Sequence, residues 1–361
     1  MDKYCRGCGA RLQTEDPGDY GYIPSHMVEK GDLICQRCFR IIHYNKDELG
    51  PVLADTSLQA LKDATQWADH VGLVVDLLDF EAGLPPTLLD YAASKPLVVL
   101  ANKQDLLPKQ TSAGEIAVWA ARRLEELGVE AEVKVISALN GFGFPEVAQW
   151  IEERRPKLLI AGVTNVGKSH VIARILGMRL GRKQRHRVMP TVSAYPGTTV
   201  SWSRWRLSDG IWLADSPGFV PDGRLSDMLC PDCARELIPN RRLSSRLYPI
   251  SPGEIMHVPG RAAVLCRGTK GSGLLIGYCG SGVNWERSTE RHLLKWTREY
   301  GGHCPVKDWE EHRVSLPRNY DLTVHGLGWI SARKTDYELT VYLPAGIRFS
   351  VRPCLIGPKT K

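Results

Sequence analysis

The residues Gly162-Val-Thr-Asn-Val-Gly167-Lys168-Ser169 fit the pattern G-x-x-x-x-G-K-S, and the chemistry served by that spacing is the cradling of phosphates. A glycine-rich turn lets the backbone N–H groups of Gly162, Asn165, Val166 and Gly167 face anionic oxygens, and a helix N-terminus behind it adds a favourable dipole. Lys168 then reaches the β- and γ-phosphates of a nucleotide, and the Ser169 hydroxyl ligates Mg²⁺. A second group of residues reads a base. Asn102-Lys103-Gln104-Asp105 forms N-K-x-D, whose Asp105 carboxylate can accept two hydrogen bonds from guanine, at N1–H and the 2-amino group. Adenine offers neither donor there and would leave a desolvated carboxylate unpaired. Ser137-Ala138-Leu139 supplies the matching S-A element, with the Ala138 N–H expected at the guanine O6. Pro196-Gly197-Thr198-Thr199 reads as a first switch, with Thr199 or Thr198 on Mg²⁺. Asp215-Ser216-Pro217-Gly218 reads as a second, with Asp215 in the Mg²⁺ shell and the Gly218 N–H sensing the γ-phosphate.

Short elements must hold these groups in place. Lys157 to Ala161 is a buried strand that runs into the phosphate loop, and Val171 to Leu176 continues it as a helix. Pro96 to Ala101, Glu132 to Ile136 and Ile211 to Ala214 are strands that deliver N-K-x-D, S-A and D-S-P-G in turn. The expected fold is therefore α/β with a parallel sheet. Its order is unusual: the base-reading motifs precede the phosphate loop and the switches. Joining the old termini and reopening the chain after the second switch preserves the sheet, which makes this a circularly permuted P-loop GTPase domain. The second switch then leads directly into residues 221–361.

Cysteines add a different chemistry. Cys5-x-x-Cys8 and Cys35-x-x-Cys38 supply four soft ligands, enough to close a tetrahedral structural Zn²⁺ site. Four reduced thiols are the plainer reading, and His43 could stand in for one ligand. An isolated pair, Cys230-x-x-Cys233, would bind a second metal only with partners such as Cys266 and Cys279.

Charge is divided along the 361 residues. Residues 1–155 carry 16 Lys and Arg against 24 Asp and Glu, residues 156–220 carry 10 against 2, and residues 221–361 carry 21 against 14. The positive excess thus lies in the second half, where it can meet a polyanion. Arg179, Arg182, Lys183, Arg185 and Arg187 crowd the stretch before the first switch, either as a solvated loop or as phosphate contacts to RNA. No apolar run approaches the ~18–20 residues that span a bilayer, and the N-terminus has no export signal. A cytoplasmic protein without a membrane partner is expected, taken as a monomer.

With these motifs in hand, the chain resembles the YqeH family of circularly permuted GTPases. The likeness rests on Cys5 to Asn45, on the motif order, on Asn165 to Ser169 and on Asp215 to Gly218, and is vaguer beyond residue 220. It implies GTP hydrolysis coupled to assembly of the small (30S) ribosomal subunit, with rRNA or ribosomal proteins as partners. It also implies an N-terminal zinc knuckle and a C-terminal recognition domain. His170 departs from the family, whose members place a small residue or hydroxyl there. Asn165 is implied to help hold a K⁺ ion beside the phosphates; as a plain loop residue it would only make the turn. Phe219 stands where Ras-like enzymes carry a water-orienting glutamine, so intrinsic turnover should be slow and stimulated by K⁺ or a partner.

The expected organisation is a zinc module over 1–45, the GTPase domain over 46–220 and a mixed, mainly β domain over 221–361. Strands are expected at Ala262 to Cys266, Leu274 to Tyr278, Leu322 to Val324 and Tyr337 to Tyr342, with one helix at Glu290 to Tyr300. Trp285, Trp296 and Trp309 suit either an RNA-stacking surface or, as aromatics in β domains more often do, the core. A GTP-driven switch leads this reading. A zinc-containing RNA-binding scaffold with a barely hydrolysing nucleotide site is the alternative.

Overall fold

The computed structural model of the chain describes residues 12–15, 22–23, 51–109, 111–179, 191–192, 202–243, 245–293, 304, 306 and 308–357. Cys5, Cys8, Cys35, Cys38, His43, Arg182, Lys183, Arg185, Arg187, Thr198, Thr199 and Trp296 lie outside the described residues.

The first half builds one sheet. Helix α1 (Pro51–Trp67) leads to β1 (His70–Asp76), then α2 (Pro86–Ala92), β2 (Leu97–Asn102), α3 (Ala113–Glu126), β3 (Glu132–Val135), α4 (Phe144–Arg154) and β4 (Lys157–Ala161). After β4 come α5 (Lys168–Arg179), β5 (Thr191–Val192), β6 (Ser203–Ser208) and β7 (Ile211–Asp215). Every residue of β2 is buried, as are the five central residues of β1 and the last four of β4. Such unbroken apolar runs are what a parallel strand covered by helices on both faces requires. α3 starts at a capping box: Ser112 accepts from the Glu115 N–H while the Glu115 carboxylate accepts from the Ser112 N–H.

The sheet order is β3-β2-β1-β4-β7-β6-β5. β3, β2, β1, β4 and β7 are parallel, and β6 and β5 are added antiparallel. From β1 the chain moves outward through β2 and β3, then returns to place β4 on the other side of β1 and moves outward the opposite way. The strand order therefore reverses between β1 and β4. In an open α/β sheet the crevice beyond the carboxyl ends of the strands at such a point is where ligands bind.

The second half is β-rich. Two short helices, α6 (Leu225–Met228) and α7 (Pro231–Leu237), precede β8 (Arg246–Ile250), β9 (Glu254–Val258), β10 (Ala262–Thr269), β11 (Gly273–Cys279) and β12 (Glu286–Thr289). Then follow β13 (Trp309–Leu316), β14 (Tyr320–Val324), β15 (Gly328–Ala332), β16 (Tyr337–Pro344) and β17 (Phe349–Pro353). They form two five-stranded antiparallel sheets, β12-β9-β10-β16-β13 and β17-β14-β15-β11-β8. Val264, Leu275, Ile330, Leu339 and Val341 are among the residues of both sheets that share one core.

All four strands expected here are present, each longer by two or three residues. Of the expected helix at Glu290 to Tyr300, the described residues show a 3-10 turn over Glu290–His292. Trp285 belongs to the core and not to an RNA-stacking surface: it is 3% exposed, and its indole lies over Gly277, where a Cβ would come within 2.7 Å of the ring. Trp309 is half-buried at the start of β13.

The two halves meet at a buried cation. Arg352 of β17 is fully buried, with its guanidinium carbon 5.0 Å from the Trp119 ring and 5.5 Å from the Trp329 ring. Its Nη1 donates to Glu81 at 2.5 Å and its Nε lies 3.6 Å from Asp321. Beside it the Trp119 indole N–H donates to the Pro353 carbonyl at 2.9 Å.

Candidate functional site

The loops after β2, β3, β4 and β7 converge at the carboxyl end of the sheet, and Asn102 is the residue that ties three of them. Its Nδ2 donates to the Val166 carbonyl at 2.8 Å, and its Oδ1 accepts from the Ala138 N–H at 2.9 Å. Donor and acceptor ends are thus both assigned by their partners, and the side chain is 2% exposed. The phosphate loop is built against it. Gly167 has φ 92°, and a Cβ there would lie 2.5 Å from Asn102 Nδ2, so the position admits only glycine. Asn165 also takes a left-handed conformation, φ 67°, and is exposed at the tip of the loop.

Behind the loop, α5 begins at Lys168. Its Nζ lies 3.2 Å from Asp215 Oδ1 and donates to the Ser216 carbonyl. Asp215 Oδ1 is buried with the Lys168 ammonium as its partner, and burial raises this carboxyl above its usual range while Lys168 opposes the shift. A carboxylate paired with a lysine at the mouth of a glycine-rich loop is a donor set that suits a hydrated Mg²⁺ and a phosphate. Ser169 and His170 are both exposed on the first turn of α5, so His170 does not pack beneath the loop. The D-S-P-G segment is pinned to the same loop. The Thr164 N–H donates to the Phe219 carbonyl at 2.7 Å and the Phe219 N–H returns to Gly162 at 3.4 Å. Gly218 packs on Thr164, whose methyl would be 3.3 Å from a Cβ at that position.

On the base-reading side, Asp105 Oδ1 accepts from Ser137 Oγ at 2.6 Å, and Ser137 is fully buried. Ser137 Oγ in turn accepts from the Asn140 N–H at 3.2 Å. Lys103 sits at φ 71° and pairs with Asp76, at the end of β1, at 2.6 Å. The Ala138 N–H, expected at the guanine O6, donates to Asn102 Oδ1 at 2.9 Å in this structure. The neighbouring Leu139 is 73% exposed at the rim.

Three side chains that no motif announces complete the site. Arg174 of α5 donates from Nε to the Ala138 carbonyl at 2.9 Å and from Nη2 to the Leu139 carbonyl at 2.6 Å, holding the S-A loop on the phosphate-loop helix. Arg224, 4% exposed and just past the second switch, donates to the Thr164 carbonyl at 3.0 Å and to the Thr164 hydroxyl at 2.7 Å. It is also clamped by Asp227 at 2.8 Å. Asp79, in the same crevice, is half-buried and accepts from the Gly326 N–H at 3.2 Å. Burial pushes its carboxyl up to about 7 against the pull of Arg224. These residues are isolated in sequence, and their role appears only once α5, α6 and the loop after β1 are folded together.

Residues 157–238 match the family model described as 50S ribosome-binding GTPase. The YqeH protein of Bacillus subtilis (strain 168) is 28% identical over 98% of this chain and 99% of its own length. Nitric oxide-associated protein 1 of Mus musculus is 28% identical over 55% of this chain, which covers 36% of that larger protein. A GDP-bound structure of TM YlqF aligns with 44% of this chain and 57% of its own at 18% identity, with a TM-score of 0.28. Among the described residues no helix is long and apolar enough to cross a membrane. A phosphate loop and a β-rich second half go with a P-loop GTPase domain in a chain that is similar to YqeH from end to end.

Proposed function

We propose that the chain is a circularly permuted GTPase that binds and slowly hydrolyses GTP, and that its nucleotide state governs binding to the small ribosomal subunit during assembly. The observation that carries this is the single network Asp105–Ser137, Ala138–Asn102–Val166 and Lys168–Asp215, which links a guanine-reading carboxylate to a phosphate loop through one buried amide. Asp105 takes the base, while Gly162, Asn165, Val166 and Gly167 wrap the phosphates and Lys168 leaves Asp215 to meet them. Ser169 and Thr199, with Asp215 beside them, would hold Mg²⁺, which would supply charge neutralisation at the phosphates. Asn165, exposed at the loop tip, is the residue assigned to K⁺. Thr198 and Thr199 form the first switch.

Phe219 cannot orient water, so this position supplies no base and contributes through positioning and electrostatics. Gly218 and Phe219 are bonded or packed onto Gly162 and Thr164, and Arg224 grips Thr164 from the segment that follows. A change at the γ-phosphate that moves Gly218 therefore pulls on the start of the C-terminal half. The partner-binding surfaces assigned are that half, with its excess of Arg and Lys, and a zinc module at Cys5, Cys8, Cys35 and Cys38, proposed from the spacing of its four thiols. The family description names the 50S subunit, whereas likeness to YqeH favours the 30S; the two are separated by binding below. The enzymatic part is tested by phosphate release under multiple turnover in K⁺ and in Na⁺ at matched ionic strength. The expected result is slow cycling, faster in K⁺, with the difference lost in Asn165→Ala. Equal rates in both salts would refute the K⁺ role, and nucleotide retained without turnover would favour the scaffold.

A further inference from the structure

We infer that Cys230, Cys233 and Cys304 form a thiolate site for Zn²⁺, separate from the nucleotide site and from the N-terminal cysteines. Their three sulfur atoms lie within 4.8 Å of one another, the spacing that three ligands of one ion adopt. The pair Cys230 and Cys233 flanks the start of α7 in a Cys-Pro-Asp-Cys knuckle, and the Ala234 N–H closes the turn on the Cys230 carbonyl at 2.9 Å. Cys304 arrives from 71 residues beyond Cys233, in the segment ahead of β13. Cys266 and Cys279, the partners that sequence spacing offers, do not join them. The former lies in β10 and the latter ends β11 with its Sγ directed to the Val283 carbonyl at 3.2 Å.

A second observation points to a ligand. The Cys230 N–H donates to Cys304 Sγ at 3.2 Å. Backbone N–H to sulfur bonds of this kind orient and stabilise metal-bound thiolates, the outer-shell role that supports first-shell ligands. The surroundings suit a soft ion as well. Cys233 is 6% exposed, and Cys230 and Cys304 are half-buried against Val258, Leu237 and the rest of that core. The buried Arg261 guanidinium donates to the Cys304 carbonyl at 3.0 Å. Binding Zn²⁺ releases three protons from the three thiols and leaves one net negative charge, which the adjacent guanidinium offsets. Three thiolates select Zn²⁺ over hard cations, and water completes the tetrahedron.

The position gives the site a consequence. Cys230 lies six residues after Arg224, which holds Thr164 of the phosphate loop, and Cys304 belongs to the half that carries the two β-sheets. An ion here fastens the segment emerging from the second switch to the C-terminal half, so a displacement at the nucleotide is delivered to a fixed point and not lost in a loose linker.

The test uses the full chain, purified without chelator under reducing conditions. N-ethylmaleimide labelling read by peptide mass spectrometry should leave Cys230, Cys233 and Cys304 protected until a zinc chelator is added, then label them at least tenfold faster. Cys266, Cys279 and Cys354 serve as internal controls whose labelling the chelator does not change. The N-terminal cysteines are read on their own peptides, so the two sites are not confused. Cys304→Ser should lower bound zinc by one equivalent per chain, and Cys266→Ser should not. Labelling of the three cysteines that ignores the chelator, a Cys230–Cys233 disulfide in the native protein, or unchanged zinc in Cys304→Ser would each overturn the assignment.

Discussion

Asp105→Asn should exchange guanine for xanthine. In the structure Asp105 receives one hydrogen bond on Oδ1, from the buried Ser137 hydroxyl at 2.6 Å. Each carboxylate oxygen can accept more than one bond, so both keep capacity for the two donors on the guanine edge. Hydrogen bonds to a charged group contribute about 1.5–3 kcal/mol each, so the pair should contribute roughly 3–6 kcal/mol. Asparagine keeps one acceptor and turns the other into an N–H that opposes the base N–H. The expected loss in GDP or GTP affinity is on the order of 10²–10⁴-fold. Xanthine carries an oxygen in place of the 2-amino group, and that oxygen can accept from the new amide. Titration of fluorescent guanosine and xanthosine diphosphates into wild type and variant measures both effects. A guanine affinity that falls less than threefold, or a xanthine affinity that does not rise relative to guanine, would refute the assignment of Asp105 as the base reader. A comparable loss for both nucleotides in a variant with an unchanged melting curve would place the base elsewhere.

Other perturbations follow from the buried charges. Asp79 is raised in the folded protein to about 7 from an ordinary value near 3.8, so the native state holds its proton more tightly than the unfolded chain does. That contribution is complete below pH 3.8 and is lost as pH rises toward 7, with an upper bound on the order of 4 kcal/mol. Asp79→Asn keeps the acceptor for the Gly326 N–H, and its stability relative to wild type should increase between pH 4 and pH 8; parallel urea curves at those pH values would contradict this. Arg352→Met leaves Asp321 buried without its cation and Glu81 with Arg123 alone, and should cost about 3–5 kcal/mol in chemical denaturation. Because burial already raises the Asp321 carboxyl, and loss of Arg352 lets it protonate, that deficit should be smaller at pH 5 than at pH 8, and a deficit independent of pH would contradict the pairing.

The nucleotide motifs were legible because each is local: a strand ends, a short loop of fixed composition follows, and a helix or turn begins. Gly167, Lys168, Asn102 and Asp105 owe their meaning to neighbours within a few positions, and the strands before them are apolar enough to be read as buried. The C-terminal strands could be read in part from alternation and from the glycines that interrupt them. Arg174, Arg224 and Arg352 could not. Each is one arginine among many, and its partner lies 36, 60 or 271 residues away. Cys304 was invisible for the same reason: a lone cysteine acquires a partner only when the segment ahead of β13 is folded onto α7. The Ala138 N–H shows the opposite limit, since a motif names the loop but not which of its donors the fold has already engaged. Trp285 illustrates a third, because aromatic residues in a basic β domain look alike in sequence whether they stack on RNA or fill a space above a glycine.

Co-sedimentation with purified ribosomal subunits, in the presence of a non-hydrolysable GTP analogue or of GDP, tests the proposed switch most directly. The account predicts pelleting with the small subunit in the GTP-like state and release with GDP. Pelleting that ignores the nucleotide, pelleting with the large subunit alone, or none with either subunit would contradict it.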